Sequence, residues 1–263
     1  MSRFWIGTSG WTYPSWKGSF YPEDLPGRRF LEFYSRRFGS TEVNYSFYHL
    51  PRPDTYRKWA EQVPEPFVFA LKASRFITHV KRLVDVEDDW AAFVGNARAL
   101  GSHFGPVLLQ FPPSFRCTRR TLAAFLARAQ RPAAKSRPIR LAFEFRHVSW
   151  FTEEVYGLLR RHGAALCIAD SPRYPRRDEV TADFVYLRFH GRTELFASKY
   201  TDGELAEEAE RIRRYLCGGL DVYAYFNNDA LGHAVTNART LERLVRREVV
   251  PLADPAGSDA RRL

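Results

Sequence analysis

Methionine and cysteine are almost missing from this sequence: one Met and three Cys stand among 263 residues. Cys117, Cys167 and Cys217 are odd in number and none sits in a C-x-x-C spacing. That argues against a disulfide framework and a structural zinc site, and for a reducing compartment. No apolar run approaches the roughly 20 residues that span a bilayer. Met1-Ser2-Arg3 runs straight into Phe4-Trp5-Ile6-Gly7 with no basic, apolar, small-residue leader. The expected location is therefore the cytosol, with no membrane partner. The glycine-rich phosphate turn of dinucleotide-binding sheets is missing too. After the first strand the chain reads Gly7-Thr8-Ser9-Gly10-Trp11, which is not G-x-G-x-x-G, so no nucleotide cofactor is expected. There is no internal repeat or linker, and nothing bears on oligomeric state.

What is present is core material and arginine. Hydrophobic residues make up 45% of the chain and aromatics 15%, with a net charge of +10. Such a charge allows nucleic acid as a partner of the basic surface. Lysine is scarce, however, and many arginines fall in helical stretches, among them Arg211, Arg213, Arg214, Arg243, Arg246 and Arg247. Those positions suit solvated outer faces.

Short β-like runs alternate with amphipathic segments from end to end. The strand candidates are Phe4–Thr8, Thr41–Tyr45, Phe67–Lys72, Val107–Phe111, Arg140–Phe145, Ala165–Asp170, Phe184–His190 and Val222–Phe226. Helices are expected near Phe30–Phe38, Asp54–Gln62, Asp88–Leu100, Arg119–Gln130, Thr152–His162, Gly203–Leu216 and Leu231–Arg247. The sixth connection, Ser171–Asp183, is rich in Pro, Arg and Asp and reads as loop. Eight strands with intervening crossovers predict an α/β fold, a single (β/α)8 barrel over residues 1–252 with one helix replaced by a loop. A frayed tail is expected over 253–263.

Side chains alternate faces along a strand, which divides each strand into two sets. Strand seven separates Val185, Leu187 and Phe189 from Tyr186, Arg188 and His190, and strand five separates Leu141, Phe143 and Phe145 from Ala142, Glu144 and Arg146. Strand two separates Val43, Tyr45 and Phe47 from Glu42, Asn44 and Ser46. One face is large and apolar, as suits packing under helices. The other turns polar towards the C-terminal end of each strand, where barrels of this kind place their sites. Lys72, Gln110, Glu144, Arg146, Asp170, Arg188 and His190 are thus expected to converge there, with Glu42 and Asn44, and with Asn228 and Asp229 on the rim. Glu42–Arg188 and Lys72–Glu144 are the expected ion pairs if the charges only plug the axis. Trp11, Tyr13, Trp16, Phe47, Tyr48 and Trp150 lie in loops around the mouth and offer rings for stacking or simply for packing.

Several ordered motifs run from the first strand to the last helix. They are Gly7-Thr8-Ser9-Gly10-Trp11 with Trp16-Lys17-Gly18 and Phe20-Tyr21-Pro22, then Glu42-Val43-Asn44 with Phe47-Tyr48. Lys72 follows with Ile77-Thr78-His79, then Gln110-Phe111-Pro112-Pro113, and Glu144-Phe145-Arg146-His147 with Ser149-Trp150. Arg188 with His190-Gly191, and Tyr225-Phe226-Asn227-Asn228-Asp229 with Asn237-Ala238, complete the set. Together they resemble the YecE-like family, DUF72, a group of bacterial and archaeal TIM barrels of unknown function. The resemblance implies the barrel and carries no reaction. One departure is Lys199, where relatives often have Gly before the tyrosine matched by Tyr200. That puts the conformation of the loop after strand seven in question.

Metal-free acid–base chemistry on a small phosphorylated or carboxylated ligand fits the inner residues best. Arg146, Arg188 and Lys72 would hold the anion, with Gln110, Asn44, Glu42, Trp11, Asn228 and Asp229 around it. Glu144 would act as general base and His190 as proton donor, with Asp170 orienting it. A metal-dependent phosphodiesterase is the alternative, although His79, His147, His190, Glu144, Asp170 and Asp229 could supply at most one divalent ion. A non-catalytic barrel that binds nucleic acid is the third reading. A glycosidase, which needs a pair of carboxylates flanking one bond, is the fourth.

Overall fold

A computed structural model describes residues 2–129, 138–230 and 232–247. The tail expected from residue 253 lies outside the described residues. The strands are β1 (Phe4–Thr8), β2 (Ser40–Val43), β3 (Val68–Lys72), β4 (Phe104–Gln110), β5 (Leu141–Glu144), β6 (Ala165–Asp170), β7 (Phe184–Phe189) and β8 (Asp221–Phe226). All pair in parallel in the order β1-β8-β7-β6-β5-β4-β3-β2. The helices are α1 (Phe30–Ser35), α2 (Tyr45–Tyr48), α3 (Pro53–Ala60), α4 (Glu87–Ala97), α5 (Arg119–Ala129), α6 (Glu153–Arg161), α7 (Asp202–Cys217) and α8 (His233–Arg246). Between β6 and β7 there is no helix, as the Pro- and Arg-rich sequence predicts.

The barrel closes between β1 and β2 through little regular ladder. Ser9 bridges Glu42, and Thr41 Oγ1 donates to the Thr8 carbonyl at 3.0 Å. The Tyr34 hydroxyl fills the gap: it accepts from the Thr8 N–H at 2.8 Å and donates to the Ser40 carbonyl at 3.1 Å. It thereby satisfies backbone groups that would otherwise be buried without partners. Gly7 is required here, since a Cβ at that position would lie 1.9 Å from the Ser40 oxygen.

Two apolar layers follow from strand alternation. Outward residues such as Phe69, Leu109, Phe143, Leu166, Ile168 and Leu187 pack beneath the helices. The inner layer is lopsided. Alanines 70, 142, 165 and 169 line one side, and Trp5, Phe184, Tyr186, Tyr223 and Tyr225 fill the axis from the other. Trp5 stacks on Tyr223 with ring centres 4.5 Å apart. Rings, rather than aliphatic layers, support the polar residues above them.

Two parity assignments change. Strand β2 stops at Val43 and the chain turns into α2, so Tyr45 is half exposed instead of packing under a helix. On β6 the inward set is Ala165, Cys167 and Ala169, which sends Asp170 outward. The loop after β7 takes its left-handed residues at Gly191 (φ 94°) and Phe196 (φ 65°), and Lys199 has no positive φ. A Cβ on Gly191 would sit 2.5 Å from the Glu194 carbonyl oxygen. The departure at Lys199 therefore needs no special backbone.

Candidate functional site

The axis is blocked by one guanidinium. Arg188, inward on β7, donates to Glu42 from Nε at 3.0 Å and from Nη2 at 2.8 Å, and its Nη1 reaches Glu144. Glu42 also accepts from Ser9 Oγ at 2.6 Å and from the Tyr186 hydroxyl at 2.7 Å. All three charged side chains are buried. Such a fork-on-carboxylate geometry holds Arg188 in place. The expected Glu42–Arg188 pair is present, and Arg188 is shared between Glu42 and Glu144.

Glu144 is equally committed. Its other oxygen accepts from Arg146 Nε at 2.6 Å. Although burial pushes the carboxyl up, Arg146 and Arg188 outweigh it and hold Glu144 well below the usual carboxylate range. A carboxylate so strongly stabilised as the anion is a poor proton acceptor. The general-base role expected of Glu144 does not match this environment.

Lys72 is where the charges fail to pair. Its expected salt bridge to Glu144 does not form, and among the described residues its Nζ makes no hydrogen bond or ion pair. The ammonium lies 4.0 Å from the centre of the Phe47 ring. Burial, reinforced by Arg188, pushes its pKa down to about 7 against the pull of Glu144 and Glu42. Arg146 keeps both terminal nitrogens without partners among the described residues. Its guanidinium rests 4.2 Å from the centre of Tyr174, a ring from the β6–β7 loop.

Two histidines complete the mouth. His190 is fully buried, and among the described residues neither ring nitrogen has a hydrogen-bond partner; Nε2 is 3.8 Å from Glu144. Burial, reinforced by Arg188, lowers its pKa to about 3, so the ring is neutral. His79 packs edge-on against Phe47 at 5.0 Å and contacts Thr78 Oγ1 through Nδ1 at 2.9 Å. Burial, with Lys72 next to it, lowers its pKa to about 4.

The remaining expected residues are dispersed. Asp170 does not orient the His190 ring: its carboxylate faces Arg176 and Arg192, each at 3.5 Å, in a network around the buried Glu208. Asn228 donates to the Ser198 carbonyl and to Asn237, tying the β7–α7 loop to α8. Gln110 donates to the Phe111 carbonyl at 2.7 Å. Asp229 accepts from Trp16 Nε1 at 2.9 Å, and burial raises its pKa to about 6. Trp11 and Asn44 belong to a separate cavity of about 460 Å³ beside the β1–β2 seam, with Tyr13, Trp59, Arg28 and Gln62. A second cavity of about 980 Å³ lies at the opposite end of the barrel, around Arg3, Trp5 and Arg140. Arg140 there is already paired with Asp221 at 2.7 Å. Among the described residues no group of three or more His, Cys, Asp or Glu side chains is placed to hold a metal ion. No helix among them is long and apolar enough to cross a membrane.

Sequence reading missed Tyr186 and Ser9 as partners of Glu42, and Tyr174 as the cover of Arg146. Tyr186 had a usable signal, because it shares the inward parity of Arg188 two residues later. Tyr174 had none: it lies in an irregular loop with no period to read.

The family model described as "Protein of unknown function DUF72" matches residues 5–260. The chain belongs to the DUF72 family. The UPF0759 protein YunF of Bacillus subtilis is 28% identical over 280 residues, covering 95% of this chain and 97% of YunF. The UPF0759 protein YecE of Escherichia coli is 31% identical over 111 residues, which is 42% of this chain and 38% of YecE. A DUF72 family structure from Thermotoga maritima is 30% identical with a TM-score of 0.76, covering 93% of this chain and all of that one, 100%. Another from Enterococcus faecalis, 20% identical, gives a TM-score of 0.78 over 93% of this chain and 96% of its own, and speaks for the fold.

Proposed function

We propose that this DUF72 barrel binds a small anionic ligand at the C-terminal mouth, between Lys72 and Arg146, and can act on it by proton transfer. The observation that supports this reading is a charge imbalance. Lys72, Arg146 and Arg188 face only Glu42 and Glu144. With Lys72 protonated the cluster carries one uncompensated positive charge, which is costly in so buried a setting. A monoanion would balance it. The partnerless nitrogens of Arg146 offer a fork suited to a carboxylate or phosphate, and the orphaned His190 ring offers a further polar contact. The proton-transfer group shifts accordingly from Glu144 to Lys72, whose pKa of about 7 lies at neutrality.

Acetate is a suitable probe because its own charge is constant above pH 6. An anion seated between Lys72 and Arg146 raises the lysine pKa, so binding takes up a proton above pH 7. Calorimetry should show acetate affinity falling by about tenfold per pH unit above 7. Arg146→Met should weaken binding roughly tenfold. Affinity that is independent of pH from 6 to 9, or unchanged in Arg146→Met, would exclude the reading.

A second reading has one observation in its favour. The exposed large apolar residues Tyr45 and Tyr48 on α2, and Leu50, Phe76, Val80, Val84, Val148 and Phe196, all lie in the segments that follow β2, β3, β5 and β7. They share the mouth with Arg75, Lys81, Arg82 and Arg173. Exposed rings among cations suit single-stranded nucleic acid. Anisotropy of a labelled oligo-dT should then fall steeply with salt, and Tyr48→Ala with Phe76→Ala should weaken binding by roughly 1–3 kcal/mol per stacked base. No binding at low salt would remove this reading and leave the small-anion site untouched.

A further inference from the structure

We infer that Lys72 is an imine-forming amine, and that the ligand of this mouth is a small carbonyl compound bearing one carboxylate. This deepens the anion-site reading and rests on it. Lys72 ends β3 on the inward face, at the barrel end where reacting groups gather. Among the described residues its Nζ has no carboxylate partner, and it sits against an aromatic face with Arg146 and Arg188 on its cationic side. An amine that is desolvated and crowded by like charge is present in part as the free base, the nucleophilic form.

The bookkeeping of charge fits the same chemistry. The Nζ lone pair adds to the carbonyl carbon while the C=O pair moves to oxygen, giving a carbinolamine once a proton passes from nitrogen to oxygen. The C–O bond then breaks, the oxygen takes one further proton and leaves as water, and C=N forms as the protonated imine. One amine, one carbonyl and one proton become one iminium ion and one water. The positive charge of the cluster is thus retained at Lys72, and the ligand carboxylate, forked by Arg146, supplies the missing negative charge. Water at the mouth, which the half-buried Lys72 still meets, supplies the proton taken up in dehydration.

The test is reductive trapping of the native chain at pH 7 with sodium cyanoborohydride, using pyruvate or acetaldehyde, followed by peptide mapping. Lys72 should be labelled on the order of tenfold faster than the exposed Lys58 and Lys199. Pyruvate should be preferred over acetaldehyde at Lys72, and Arg146→Met should remove that preference while acetaldehyde labelling persists. Lys72→Arg should still bind acetate yet show no preferential adduct. If Lys72 reacts no faster than Lys58 and Lys199 with either compound, the imine is overturned, even where acetate binding stands. Fast labelling of Lys72 by both compounds with no pyruvate preference would overturn the carboxylate half, together with the anion site.

Discussion

Arg188→Met is expected to cost about 3–5 kcal/mol of folding stability, the typical cost of removing one partner from a buried ion pair. The substitution leaves Glu42 and Glu144 inside the barrel with no cation between them. Arg146 still serves one oxygen of Glu144, but Glu42 retains only the Ser9 and Tyr186 hydroxyls. Two carboxylates stripped of their guanidinium will take up protons more readily than in the unfolded chain. The loss should therefore be larger at pH 8 than at pH 5, because only deprotonated carboxylates bear the burial cost. Urea unfolding followed by tryptophan fluorescence measures it. Glu42→Gln and Glu144→Gln added to Arg188→Met should recover much of the deficit, since an uncharged cluster has no ion left to desolvate. A loss below about 1 kcal/mol for Arg188→Met would mean that the triad is far wetter than its burial indicates.

The same experiment on Lys72→Met should move the other way. Lys72 is charged at pH 7 in the unfolded chain but only partly so when folded, because burial and Arg188 lower its pKa from 10.5 to about 7. A base whose folded pKa is depressed costs stability. That cost is complete below pH 7, shrinks as pH rises, and vanishes above about pH 10.5. Met keeps the stem over Phe47 and removes the charge, so a gain of about 1–3 kcal/mol is expected at pH 6, fading towards pH 10. Acetate binding should be lost in the same variant. Stability gained as binding is lost would mark Lys72 as a residue retained for function against the interest of folding. A destabilised Lys72→Met would show instead that the ammonium is paired.

These opposite signs could not have been read from the sequence, where Lys72 and Arg188 look alike as cations at the ends of inward strand faces. The eight strands, their parallel order and the missing sixth helix all follow from local period and composition, and the structure agrees with them. So does the polar inner face: Glu42, Lys72, Gln110, Glu144, Arg188 and His190 do point inward. Asp170 was misassigned because an outward acidic residue at a strand end has no sequence mark that separates it from an inward one. Tyr45 departs from its expected face because the strand ends two residues before it.

What the sequence alone determined is which side chains share the barrel axis, since alternation along a strand is a local property of the backbone. What only the tertiary structure decided is who pairs with whom across that axis. Glu42, Glu144 and Arg188 are separated by up to 146 residues and meet because barrel closure sets β2, β5 and β7 at matching depth. That depth depends on strand stagger, which no single segment encodes. Closure gave both carboxylates to Arg188 and left Lys72 without one, and on that difference the proposed chemistry depends.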